Sequence, residues 1–99
     1  MVDFPLSLPP HADLLSAVDV LEACCAAAGL RVTLRGTLIA YPGSIHWHLK
    51  QGTGRGTLEL TLWPVERRAW FKVSPLRDAP WIAPAIAQIT AALVKHWPG

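Results

Sequence analysis

In the segment SIHWHLK, residues 44–50, two histidines flank Trp47. On a β-strand successive side chains point to opposite faces, so His46, His48 and Lys50 share one face and Trp47 takes the other. Imidazoles placed this way suit metal ligation or proton exchange near neutral pH. One carboxylate across from them would complete a two-histidine, one-carboxylate ligand set. Glu59, in TLELTLW at 57–63, is the candidate: if the loop QGTGRG at 51–56 closes symmetrically, it lies opposite His48.

The other familiar chemistries find no matching residues. The chain has no HExxH pair, nucleophile elbow, CxxC pair or paired-carboxylate motif. Cys24 and Cys25 are neighbours in a helical segment, where adjacent side chains diverge, so they read as buried thiols rather than a disulfide. GTGRG has the residue types of a phosphate cradle, but it joins two strands and lacks the helix N-terminus of a Walker-type loop. It reads as a mobile hairpin tip carrying Arg55. These absences point to a non-enzymatic protein with no cofactor.

The elements that must position these residues follow from periodicity. Between Ala12 and Ala28, Leu14, Leu15, Val18, Leu21, Cys25 and Ala28 recur at helical spacing, with Asp13, Ser16, Asp19 and Glu22 on the other side. Gly29 is a natural helix terminator. The period then becomes two. Leu30, Val32, Leu34 and Leu38 alternate with Arg31, Thr33, Arg35 and Thr37. YPGS at 41–44 places Pro and Gly as a type II turn requires. Strands follow around 45–50, 57–63 and 68–73, joined by QGTGRG and PVER. The tail returns to helical spacing at Ile82, Ile86, Ile89, Leu93, Val94 and Trp97, with Asp78 as candidate cap, a start near Pro84 and a stop at Pro98-Gly99.

The expected fold is α+β: a two-layer sandwich of helix, four-stranded antiparallel meander and helix, with both helices on one sheet face. Leu34, Leu38, Trp47, Leu49, Leu58, Leu60, Leu62, Phe71 and Val73 supply that apolar face. Residues 1–11, with three prolines, read as an extended arm, and residues 12–99 as a single domain. This order of elements resembles double-stranded-RNA-binding domains in layout alone. The stretch DAPWIAPAIA, 78–87, carries no basic residue where those domains start their last helix with lysines.

The opposite sheet face is then left open. It gathers Arg31, Thr33 and Arg35; His46, His48 and Lys50; Glu59, Thr61 and Trp63; and Arg68, Trp70 and Lys72. Symmetric loops place His48, Glu59 and Lys72 in one row, Thr61 opposite Trp70, and Trp63 opposite Arg68. Charge supports a basic surface here. Residues 1–30 carry four acidic and no basic side chains, whereas residues 31–77 carry eight basic against two acidic.

Three readings compete for this face. In the first, it binds nucleic acid: Arg31, Arg35, Lys50, Arg68 and Lys72 attract phosphate and Trp63 and Trp70 stack bases. Arg55 from the glycine loop and Arg67 at the opposite rim extend the track. In the second, the same face joins a protein partner or a second copy of the chain. In the third, His46, His48 and Glu59 hold a metal, a reading weakened by crowding from Arg35 and Lys72. Nucleic acid is the expected partner, with His46 and His48 as a pH-sensitive part of the surface. No apolar stretch approaches the ~20 residues of a membrane span, no signal segment is evident, and unpaired cysteines fit the cytoplasm.

Overall fold

Alternation alone builds the centre of the sheet. In a computed structural model that describes residues 2–8, 10 and 13–96, strands β3 (Ile45–Gln51), β4 (Leu58–Trp63) and β5 (Arg68–Val73) pair antiparallel. The registers are those expected: His48 opposite Glu59, Glu59 opposite Lys72, Thr61 opposite Trp70, and Trp63 opposite Arg68. The type II turn is present as well, with Gly43 at φ 82° and Ser44 N donating to Tyr41 O at 3.0 Å.

The sheet has five strands rather than four. Its order is β1-β5-β4-β3-β2, all antiparallel, with β1 (Val2–Leu6) and β2 (Leu30–Gly36) at the edges. Residues Val2–Leu6 of the expected extended arm therefore belong to the sheet, pairing Asp3 with Lys72 and Pro5 with Trp70. A strand with one proline and five residues shows little periodicity, and only an edge position accommodates the missing amide.

A second departure lies in β2. Its register with β3 shifts between Val32 and Leu34: Val32 lies opposite Leu49, but Leu34 lies opposite His48 and Arg35 opposite Trp47. An extra residue in one strand reverses the facing of everything after it. Leu34 thus leaves the expected core and stands 47% exposed beside His48. Arg35 moves the other way, onto the Trp47 side, where its guanidinium meets Glu22 Oε2 at 3.1 Å. Leu38 is half-buried in the loop after β2.

Helix α1 (Leu14–Ala27) ends at Gly29, whose φ of 80° suits glycine. Helix α2 (Ile82–His96) carries Pro84 in its first turn, where a missing amide costs little. Asp78 does not cap it. This residue follows a short 3-10 turn, Pro75–Arg77; residues 79–81 separate it from the helix, and its carboxylate accepts from Ala79 N at 2.8 Å. Trp97, Pro98, Gly99, His11 and the Leu15 side chain lie outside the described residues.

One buried cluster joins Ala17, Leu21 and Cys25 of α1 and Ile82, Ala85, Ile89 and Leu93 of α2 to Trp47, Leu49, Leu58, Leu60, Leu62, Ala69, Phe71 and Val73 of the sheet. Among the described residues, no helix is long and apolar enough to cross a membrane.

Burial pushes the Cys25 thiol up to about 12, with the charges of Cys24 and Glu22 adding to it; burial also raises Cys24, which is half-exposed. The thiolate is the reacting species. Iodoacetamide at pH 8 is therefore expected to label Cys24 slowly and leave Cys25 untouched until urea is added, as read by mass spectrometry.

Candidate functional site

Two rows cross the sheet face opposite the Trp47 side. The first runs Asp3, Lys72, Glu59, His48, Leu34 and the second Pro5, Trp70, Thr61, His46, Gly36. Because His46 lies diagonal to Glu59 and His48 lies directly opposite, one carboxylate reaches both imidazoles. Glu59 Oε1 is 3.2 Å from His46 Nε2 and 3.7 Å from His48 Nε2. The imidazole centroids are 5.1 Å apart and nearly perpendicular.

His46 is buried, and its Nδ1 lies 2.8 Å from Thr61 Oγ1, itself fully buried. Burial pushes this imidazole below its usual range. The Glu59 charge and hydrogen bond oppose that shift, while His48 and Lys72 add to it. The neutral ring thus gives Nε2–H to the acceptor-only carboxylate and takes the threonine hydroxyl at Nδ1. Glu59 Oε2 accepts a long bond from Ser74 Oγ at 3.5 Å. The set His46, His48 and Glu59 offers ligand atoms all within 4.8 Å of one another.

The rest of the face is not bare. The β2–β3 loop folds over one end of it. Tyr41 meets Trp63 at 4.9 Å and Trp70 at 5.0 Å between ring centroids, both edge-on. Trp63 Nε1 donates to Pro42 O at 3.0 Å. Arg68, opposite Trp63 in register, lies over the Trp70 ring at 5.1 Å, a cation–π contact. Both tryptophans are half-buried. Arg67, in the left-handed region at φ 51°, donates from Nη2 to Pro10 O at 3.1 Å.

The opposite end of the sheet is cationic. Arg31 lies beside Lys50 on this face, and both grip the glycine loop: Arg31 Nη2 donates to Gly52 O at 2.8 Å and Lys50 Nζ to Gly56 O at 3.1 Å. The loop is pinned rather than a mobile tip. Trp81 Nε1 donates to Arg55 O at 2.7 Å and Thr57 N to Arg77 O at 2.9 Å. Arg55 and Arg77 are exposed there.

Of the residues expected on this face, the structure keeps Arg31, His46, His48, Lys50, Trp63, Arg68, Trp70 and Lys72, with Arg55 and Arg67 in flanking loops. Arg35 is removed to the other side by the bulge. Tyr41, Thr61 and Arg77 were not among the site candidates. Tyr41 had one signal, an aromatic directly before the Pro-Gly turn; Thr61 had its alternation with Leu60 and Leu62. Compared with known proteins, the chain matches no family model, no curated protein and no solved structure.

Proposed function

We propose that this protein binds nucleic acid through the phosphate backbone, at the glycine-loop end of the open sheet face. The observation that carries the reading is a cluster of Arg31, Lys50, Arg55 and Arg77 around one loop, none of them in an ion pair among the described residues. Arg31 and Lys50 are held by backbone carbonyls, which fix their positions without cancelling their charge. Uncompensated cations in fixed positions attract polyphosphate whatever its sequence. Base stacking plays a smaller part than exposed tryptophans would give, since Tyr41 and Arg68 already occupy Trp70. Association of two copies through this end is disfavoured by the like charges it would bring together; docking of a protein partner through the same face is the second reading.

The test is fluorescence anisotropy with single- and double-stranded DNA and RNA oligonucleotides at low salt. Binding is expected to weaken as a power of salt concentration. A triple variant, R31Q/K50Q/R55Q, is expected to lower that power by about one for each phosphate it no longer neutralises. Absence of binding to every oligonucleotide at low salt rejects the reading. A dimer in light scattering that disappears with Trp63→Ala would move the function to protein association.

A further inference from the structure

We propose that His46, His48 and Glu59 form a binding site for a divalent first-row transition ion, ligated through the two Nε2 atoms and Glu59 Oε1. This site is separate from the phosphate-binding end of the face and does not depend on that reading. The donor set of two imidazoles and one carboxylate is of the borderline type that takes Zn²⁺ or Fe²⁺ rather than Ca²⁺ or Mg²⁺.

The spacing fits such an ion. Ligands about 2.0–2.1 Å from a tetrahedral centre stand about 3.3 Å from one another. The two imidazole-to-carboxylate separations are 3.2 and 3.7 Å, so those two edges are nearly in place already. The two imidazoles need only a modest closing rotation, since all three donor atoms lie within 4.8 Å of one another. Neighbouring central strands hold the three groups, and a flanking strand on each side leaves the backbone little freedom to open them.

The surroundings also fit. Thr61 Oγ1 touches His46 Nδ1, the place where metal-bound histidines commonly have an orienting partner. Its hydroxyl either donates or accepts, so it satisfies Nδ1 whether the ring carries its proton there or on Nε2. With an ion bound, the proton moves to Nδ1 and Nε2 turns its lone pair to the metal. His46 and Glu59 are largely shielded while His48 is more open, with side-chain exposures of 8, 15 and 24%, which leaves an entry side and room for a fourth ligand such as water. Of the two cations expected to crowd the set, Arg35 is on the other face with Glu22. Lys72 remains beside Glu59, with Asp3 at the opposite register position on β1.

The experiment uses the full chain without a histidine tag, stripped by chelator, and titrates Zn²⁺ by calorimetry and Co²⁺ by visible absorption. One ion per chain is expected, with affinity falling at least about tenfold in each of His48→Asn and Glu59→Gln. Imidazole ¹⁵N spectra of the wild type give a readout that needs no variant: the Nε2 resonances of His46 and His48 shift on Zn²⁺ addition. No stoichiometric binding by the wild type overturns the proposal. So does affinity that is unchanged in either variant, or an ion that leaves those two resonances in place.

Discussion

Trp47→Ala is expected to destabilise the protein by about 4 kcal/mol, a large share of the ~5–15 kcal/mol typical of a domain. Trp47 is 1% exposed in β3, and its Nε1 donates to Glu22 Oε2 at 2.8 Å. Truncation leaves a cavity between α1 and the sheet, because neighbouring Leu49 and Leu60 belong to a sheet that cannot collapse into it. It also removes a donor from a half-buried carboxylate, although Arg35 still holds the same oxygen at 3.1 Å. Trp47→Phe keeps most of the apolar volume and loses the hydrogen bond, so about 2 kcal/mol is expected. Urea unfolding by circular dichroism separates the two. Equal losses in both variants would show that the hydrogen bond, not the ring volume, sets the stability here.

The second large effect is expected at Gly56. Its φ is 100°, outside the range L-residues favour, and an added methyl would lie 2.5 Å from Ala79 Cβ and 3.2 Å from Arg77 O and Trp81 Nε1. Conformational strain and overlap each contribute about 1–3 kcal/mol, so Gly56→Ala is expected to lose about 3 kcal/mol in total. The loop cannot retreat easily, since Trp81 and Arg77 bind its backbone on either side of this residue. Adding Ala79→Gly relieves the closest overlap but not the strain, and is expected to restore only part of the loss. Full stability in Gly56→Ala, read by the same urea unfolding, would mean that the loop is free to move. Partial unpinning also displaces Arg55, so the same variant is expected to weaken oligonucleotide binding even at temperatures where it remains fully folded.

The grouping of His46, His48 and Glu59 was legible because their positions follow from a two-residue period and a loop that closes symmetrically. Leu58, Leu60 and Leu62 point one way, so Glu59 and Thr61 point the other, and the six-residue glycine loop brings Glu59 to His48. Arg35 was not legible. The run LRVTLRG alternates cleanly, and nothing in it marks Thr33 as the place where the register shifts. The bulge has a clear structural consequence: Arg35 reaches Glu22, which also holds the Trp47 indole. The same shift exposes Leu34, at 47%, and Val32 ahead of it on this edge strand is 44% exposed. A bulge and two arginines on that edge are features that discourage edge-to-edge pairing.

Local pattern by itself determined the two helices, the four meander strands, the type II turn and the side of the sheet on which each histidine lies. Those features depend on neighbours a few residues apart, where period and turn chemistry act directly. Tertiary structure alone decided the fifth strand, the facing of Arg35, the Tyr41 cover over Trp63 and Trp70, and the pinning of the glycine loop by Trp81. Each of these joins segments distant in sequence, and its stability comes from a partner that no local window contains. SIHWHLK shows both levels: alternation puts two imidazoles on one face, and the packing of the sheet gives them Glu59 and Thr61 as partners.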